Sequence, residues 1–234
     1  MSKVEQSTKL DLERIIFIGR TFEEYLDMFS LSEEELKGKK ILDCPAGACS
    51  FTAGGNKAGL DVTACDIAYD HSFEDLKNKG LQDVEHAMES IQKAKNKFKW
   101  NYFKSIEQLR NHRIRALQDC ALDMSKSEER YIPATLPSLP FDTEQFDMTL
   151  SAHFLFMYGD RLGYQFHIET LNELLRVTRE EVRIFPLVDL EGKRYEHLEK
   201  IKEYLAMNGC RVEEVNVSYE FMTNANAMLI IKKG

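Results

Sequence analysis

A short apolar segment near the start of the chain, residues 41–44, contains one acid, Asp43, and is followed by small residues. Ala46 and Gly47 have little or no side chain, so a ligand can approach the backbone of this turn closely. The arrangement of a strand, a small-residue turn and a helix is typical of nucleotide-binding α/β proteins.

A second acid, Asp66, ends the next apolar segment of the sequence, residues 61–66. A carboxylate at the end of a second strand can accept hydrogen bonds from both hydroxyls of a ribose. Alternatively, Asp43 and Asp66 only cap turns or helices. The two acids together with the small-residue turn favour a site for a ribose-containing cofactor.

Strand-like and helix-like segments alternate along the chain, which predicts an α/β fold with a mainly parallel sheet. Seven segments have the length and composition of strands: 41–44, 61–66, 131–135, 146–151, 181–188, 211–218 and 227–231. The last two are joined by a short connection, which predicts that they pair antiparallel.

Helical patterns occupy residues 10–29, 50–59, 166–177 and 195–208, and Thr21 with Glu24 has the form of a capping box. His167 and His197 fall in these predicted helices, and we expect both at the surface. Residues 1–37 are expected to form an N-terminal helical cap. The segment 71–130 is longer than a crossover between two parallel strands needs to be. We therefore predict that it forms a helical insertion or lid within a single domain, 1–234.

Ligands of open α/β sheets bind beyond the carboxyl ends of the strands. The residues that follow the predicted third strand, Thr135 and Leu136, and those that end the fourth, Ser151, Ala152 and His153, are therefore expected near Asp43 and Asp66.

The segment 41–49 resembles the first motif of class I S-adenosylmethionine-dependent methyltransferases, an acid followed by glycines at alternate positions. Asp43 matches the acid and Gly47 the central glycine, whereas Pro45 and Cys49 replace the other two. Residues 139–147 are similar to the loop and fourth strand of that family, and 173–177 to the helix before its fifth strand. The resemblance covers 39–231, apart from most of the insertion.

This resemblance implies a Rossmann-like, seven-stranded, mainly parallel sheet with an antiparallel last strand, helices on both faces and a helical insertion between strands two and three. It also implies S-adenosylmethionine as the cofactor. The methionine part would be held by Asp43 and the backbone of Ala46 and Gly47. The ribose and adenine would contact four residues after strands two and three: Asp66, Ile67, Thr135 and Leu136. The sulfonium would lie beside Ser151, Ala152 and His153.

A base is needed only if the methyl acceptor carries a proton on its reactive atom. His153 is the candidate catalytic base, with a packing role beside Phe154 and Phe156 as the alternative. A more specific hypothesis makes Cys44 or Cys49 a catalytic nucleophile. The sequence shows no basic residue near either cysteine that would favour the reactive thiolate.

The chain has 234 residues and a formal net charge of -8, which disfavours a nucleic-acid partner. The segment 93–104 interleaves basic and aromatic residues. It is either a lid or groove for an anionic acceptor or, as we favour, an amphipathic helix with a buried aromatic face.

The sequence has no apolar run of the roughly 20 residues that cross a bilayer and no signal-like start, so we expect a cytoplasmic protein without a membrane partner. The five cysteines show no zinc spacing, so no metal is expected.

We therefore expect S-adenosylmethionine-dependent methyl transfer to a small-molecule acceptor. The alternative is a non-catalytic S-adenosylmethionine-binding or interaction protein. A nicotinamide-dependent oxidoreductase would need a G-x-G-x-x-G pattern after strand one. This pattern is absent, because Gly47 is followed by Ala48, Cys49 and Ser50. No feature of the sequence predicts an oligomeric state.

Overall fold

A computed structural model describes residues 16–234, which form a seven-stranded sheet with helices on both faces. The strands are β1 (Lys40–Asp43), β2 (Asp61–Asp66), β3 (Tyr131–Pro133), β4 (Phe146–Ala152), β5 (Thr178–Phe185), β6 (Cys210–Asn216) and β7 (Ala227–Lys233). Their order is β3-β2-β1-β4-β5-β7-β6. β1 to β5 pair in parallel, and β7 is antiparallel to both its neighbours. The predicted fold class is confirmed.

The helices are α1 (Phe22–Phe29), α2 (Glu33–Leu36), α3 (Phe51–Lys57), α4 (Phe73–Lys93), α5 (Ile106–Met124), α6 (Tyr164–Val177) and α7 (Leu198–Met207). Successive strand residues point to opposite faces of the sheet. Ile41 of β1 packs in the core beneath α1 and α3, whereas its neighbour Leu42 packs beneath α6 and α7. Two apolar cores thus hold β1 centrally in the sheet, which fixes the turn that follows it.

The ends of several elements differ from the prediction. β5 lies three residues earlier than the predicted 181–188, because Thr178 already pairs with Phe146 and its hydroxyl lies 2.6 Å from that of Thr149. β3 ends at Pro133, two residues earlier than predicted.

The helix predicted over 10–29 is wrong for residues 16–20, which are not helical; residues 10–15 lie outside the described part of the chain. α1 begins only after Thr21, where the predicted capping box with Glu24 is present. Residues 16–20 lie instead along the turn after β1. A Cβ on Gly19 would stand 1.8 Å from the carbonyl oxygen of Ala48, so this close approach requires glycine.

The predicted insertion between the second and third strands is confirmed as two long helices, α4 and α5, that pack on each other, with α5 also against α3. The amphipathic helix predicted over 93–104 is wrong beyond Lys93: the chain between α4 and α5 has only one short 3-10 turn, Lys95–Lys97. Its aromatic rings pack instead around Phe221, with Phe98 at 4.9 Å and Phe103 at 5.0 Å between ring centroids.

His167 is buried, not at the surface as expected. Its Nε2 lies 2.9 Å from the carbonyl oxygen of Leu155, and its ring stacks on Tyr195 with 4.5 Å between centroids. His197 directly precedes α7 and is partly exposed. Over residues 16–234, no helix is both long and apolar enough to cross a membrane.

Candidate functional site

The carboxyl ends of β1, β2 and β4 lie side by side, because β1 pairs in parallel with both other strands. The sheet thereby brings Asp43, Asp66 and Ala152 to one edge. The connections that lead from each strand to the next helix lie on this edge and position the remaining site residues.

Asp43, the last residue of β1, is completely buried, and the hydroxyl of Tyr25 donates a 2.9 Å hydrogen bond to its Oδ1. Its Oδ2 has no hydrogen-bond partner among residues 16–234. Burial raises the pKa of this carboxyl well above its ordinary value; the bond from Tyr25 opposes that rise and the charge of Asp66 adds to it. A buried polar oxygen without a partner is costly, so a donor from a ligand would be favoured here.

The turn after β1 is held to the end of β2 by Asp66. Its Oδ2 accepts from the backbone N–H of Gly47 and its Oδ1 from that of Ala68, both at 2.9 Å. The carbonyl of Gly47 accepts from the hydroxyl of Tyr69 at 2.8 Å, and the N–H of Ala46 donates to the carbonyl of Cys65.

Gly47 has a φ of +54°, which favours glycine. A Cβ at this position would stand 4.0 Å from Oδ2 of Asp66, in the space beside the carboxylate. A carboxylate oxygen can accept more than one hydrogen bond, so Asp66 retains capacity for a further donor. Burial raises the pKa of Asp66, and its two backbone hydrogen bonds oppose that rise.

A cavity of about 360 Å³ opens beside Asp66. It contains four of the sequence-predicted residues: Asp66, Ile67, Thr135 and Leu136. The others that line it are Ile16, Cys44, Pro45, Cys65, Ala134, Phe154, Tyr158, Arg161 and Phe166. A larger groove of about 660 Å³ runs beside α3 and α5 and contains none of the predicted residues.

Ser151 and Ala152 are buried at the end of β4, and neither lines the cavity. His153 follows with a φ of +54°; its backbone N–H donates to the carbonyl of Phe185 at 2.7 Å, and its ring lies 5.5 Å from that of Phe185. Its Nδ1 is buried and has no partner in the described part of the chain. Burial lowers the pKa of His153 well below its ordinary value, and the charges of Arg20 and Arg113 lower it further. The imidazole is therefore neutral near pH 7.

Sequence reasoning missed Arg20, Tyr25 and Tyr158. Arg20 reaches the site because residues 16–20 return onto the turn after β1: the N–H of Ser50 donates to its carbonyl at 2.9 Å, and its own N–H donates to Sγ of Cys49 at 3.2 Å. Only its place directly before the Thr21 capping box marks Arg20 in the sequence, and that pattern indicates a helix start, not a site.

The cysteine hypothesis is disfavoured by the surroundings of both thiols. The Cys65 thiol and burial raise the pKa of Cys44 well above its ordinary value. Burial raises the pKa of Cys49 to about 12. Both thiols stay protonated, and the thiolate is the nucleophilic form. No group of three or more His, Cys, Asp or Glu side chains within residues 16–234 is arranged to hold a metal ion.

No family model matches the chain. The uncharacterized protein MJ0045 of Methanocaldococcus jannaschii is 39% identical over 226 residues, which is 96% of this chain and 99% of that protein. The chain named as a methyltransferase in the complex with the Haloferax volcanii Trm112 methyltransferase activator superposes with a TM-score of 0.50, at 10% identity over 90% of each chain. A SAM-dependent methyltransferase of Aquifex aeolicus gives a TM-score of 0.44, at 16% identity over 96% of this chain and 98% of that chain.

Strand order, the antiparallel β7 and the superposition agree on the fold that the first motif had indicated. The chain has the Rossmann-like fold of class I methyltransferases, and by its identity over nearly the whole length it belongs to the family of MJ0045 of Methanocaldococcus jannaschii.

Proposed function

We propose that this protein binds S-adenosylmethionine and transfers its methyl group to a small-molecule acceptor. The observation that carries the proposal is Asp66, which is fixed by two backbone N–H groups at the wall of an apolar cavity. Such a carboxylate can accept hydrogen bonds from the ribose hydroxyls, and Ile67 and Leu136 supply apolar walls for the adenine.

Asp43 and the turn fit the methionine part of this cofactor. Oδ2 of Asp43 is buried without a partner in the described residues, and the ammonium group of the methionine part would donate to it. The missing side chain of Gly47 leaves the backbone open beside Asp66. Both features support placing the methionine part of the cofactor beside Asp43 and the turn.

Bound S-adenosylmethionine supplies a methyl group already activated on a cationic sulfonium. The protein's task is then to align the acceptor and exclude water. Ser151 and Ala152 end β4, the strand next to β1, and His153 follows it; these three residues are proposed for the sulfonium side. His153 is neutral, and its Nδ1 is proposed to accept a proton when the acceptor carries one on its reactive atom.

Calorimetry with S-adenosylhomocysteine tests the cofactor site. Asp66→Ala should weaken binding by at least about tenfold, because hydrogen bonds to a charged group contribute about 1.5–3 kcal/mol each. Asp61→Ala is the matched control, since Asp61 begins the same strand at the opposite edge and is exposed. Leu136→Trp tests the adenine wall independently, because it enlarges a side chain that lines the cavity and leaves the Asp66 carboxylate in the sequence.

Unchanged affinity in a folded Asp66→Ala variant would mean that the ribose is placed wrongly. If the wild-type protein fails to bind S-adenosylhomocysteine, the whole proposal fails. Tight binding with no methyl transfer across an acceptor screen would favour the non-catalytic binding protein.

A further inference from the structure

The phenol of Tyr25 reaches the end of β1 from the N-terminal part of the fold. Tyr25 lies on α1, and its hydroxyl donates a 2.9 Å hydrogen bond to Oδ1 of Asp43. Both side chains are completely buried. The bond therefore lies away from bulk water, where a hydrogen bond to a carboxylate is strong and its loss is costly.

Packing fixes the position of this hydroxyl. The Tyr25 ring stacks on that of Phe51, the first residue of α3, with 4.8 Å between ring centroids and 15° between the planes. On the same helix, Phe29 tilts against it at 5.6 Å. The neighbouring Glu24 is anchored by hydrogen bonds of 2.7 and 2.9 Å from Arg113. The helix and the ring are thus both held, and the hydroxyl has one fixed position.

The bond from Tyr25 divides the two oxygens of Asp43 between the protein and a ligand. Oδ1 accepts from the phenol, whereas Oδ2 is buried and has no hydrogen-bond partner within residues 16–234. A carboxylate that is held by one oxygen presents the other in a defined direction. A single N–H donor of an ammonium group would satisfy Oδ2, and a buried acceptor without a donor is costly.

We propose that Tyr25 is a positioning residue of the cofactor site: its hydroxyl holds Oδ1 of Asp43 and thereby presents Oδ2 to the ammonium group of S-adenosylmethionine. This inference rests on the proposed function, because it assigns a role in binding the same cofactor. Tyr25 does not line the cavity beside Asp66, so it acts on the ligand through Asp43.

The same hydroxyl favours the charged form of Asp43, which an ammonium group requires. Burial raises the pKa of the Asp43 carboxyl well above its ordinary value, the hydrogen bond from Tyr25 lowers it, and the charge of Asp66 raises it. Burial and the charge of Asp43 raise the pKa of Tyr25 well above its ordinary value, so the phenol stays protonated and remains a donor. Without the hydroxyl, Asp43 would stay protonated up to a higher pH.

Other titratable groups also interact with Asp43. Burial, and for Cys44 first the Cys65 thiol, raises the pKa of the thiols and phenols among them, which stay protonated: Cys44, Cys49, Tyr69, Cys120 and Tyr131. The remaining group is Asp66, which contacts the ribose in the proposed site. S-adenosylhomocysteine and methylthioadenosine share this ribose, so titration of Asp66 affects both ligands alike. The ratio of their affinities therefore reports on Asp43.

Tyr25→Phe tests the inference, because it removes the hydroxyl and keeps the ring that packs on Phe51. Calorimetry should show about tenfold weaker binding of S-adenosylhomocysteine near neutral pH, since a hydrogen bond to a charged group is lost. Binding of methylthioadenosine, which has no ammonium group, should be unchanged. The pH below which the ratio of the two affinities falls should rise by about one unit, the equivalent of that tenfold loss.

Tyr219→Phe is the matched control. The hydroxyl of Tyr219 donates a 2.8 Å hydrogen bond to Glu24, again between a buried phenol and a buried carboxylate, but Glu24 lies outside the proposed cofactor site. This variant should leave the affinity ratio and its pH dependence unchanged. Asp43→Asn should weaken S-adenosylhomocysteine binding, and adding Tyr25→Phe to it should cause little further loss, because both changes act on one interaction.

Three results would overturn the inference. Equal losses of affinity for both ligands in Tyr25→Phe would show a merely structural role. An unchanged affinity ratio and pH profile in folded Tyr25→Phe would show no role in binding. A full additional loss in the double variant would show that Tyr25 does not act through Asp43. Each is distinct from failure of the proposed function, in which wild-type protein does not bind S-adenosylhomocysteine at all.

Discussion

His153 combines an unusual backbone conformation with a buried, unpartnered ring nitrogen. Its φ of +54° is uncommon for a residue with a side chain; such conformations cost about 1–3 kcal/mol and persist only where the surroundings hold them. The hydrogen bond from its N–H to Phe185 and the packing of its ring on Phe185 hold it in place. A strained backbone directly after the central strand β4 is a reason to test this residue first.

His153 should make the protein sensitive to acid. Burial and the charges of Arg20 and Arg113 hold its pKa in the folded state below that of the unfolded chain, which is about 6.5. Between those two values the unfolded state binds more protons, so this contribution to stability is full above about pH 6.5 and is lost as the pH falls below it. Urea unfolding at neutral and mildly acidic pH measures the loss.

His153→Asn should reduce this loss, because asparagine tolerates the left-handed conformation and does not titrate. His86→Asn is the control, since His86 is exposed on α4. An identical dependence of the unfolding free energy on pH in His153→Asn and wild type would show that His153 is not the group responsible. Methyl transfer, where it depends on neutral His153, should stay level through the ordinary histidine range and fall only at lower pH, because burial lowers the pKa of His153.

Residue types and spacing could indicate only part of the site. Asp43, Gly47 and Asp66 are recognisable because they follow strands that the apolar pattern predicts. Arg20 and Tyr158 are not, because tertiary contacts alone bring residues 16–20 onto the turn and Tyr158 to the cavity wall. Local patterns carry no information about such long-range contacts.

At the scale of elements, one buried cluster joins three distant parts of the chain. In the interior, Arg113 of α5 and Tyr219, between β6 and β7, both donate hydrogen bonds to the carboxylate of Glu24 in α1. Because α1 begins two residues after Arg20, this cluster also helps to fix where the segment 16–20 meets the turn after β1.

Removing one partner of this cluster should be severe. Arg113→Met leaves Glu24 buried and unpaired, and we expect a loss of about 3–5 kcal/mol in the free energy of unfolding. Arg115→Met is the matched control: Arg115 lies two residues on in α5 and pairs with Glu23, but both are exposed, so the expected loss is about 0–1 kcal/mol. Urea unfolding of both variants compares them. Similar losses would mean that the buried pair does not hold α1 to α5.

Elements with strong local signals were predicted well, and those that depend on partners were not. The Thr21 and Glu24 pair gave the start of α1 correctly. The segment between α4 and α5 has helical composition, yet it is held outside a helix by ring contacts with Phe221 and by the Lys99–Glu220 ion pair. Propensity is a weak guide wherever tertiary packing opposes it.

At the scale of the whole molecule, the site is assembled from segments far apart in the chain: the turn after β1, the end of β2, the loop after β3 and the segment beyond β4. A ligand that contacts all of them binds only the folded state. Such a ligand stabilises the fold by about 2.7 kcal/mol when its free concentration is 100 times its Kd.

S-adenosylhomocysteine at that concentration should therefore raise the Tm by about 5–10 °C, because a chain of this size gains about 2–4 °C per kcal/mol. Scanning calorimetry measures the shift, with NAD as the control ligand that shares the adenosine but not the amino-acid part. Methylthioadenosine, which lacks the carboxylate and ammonium groups, should give a smaller shift, because the buried Oδ2 of Asp43 then stays without a donor. A shift with NAD as large as that with S-adenosylhomocysteine would indicate a general dinucleotide site, in which Asp43 has no part in selecting the cofactor.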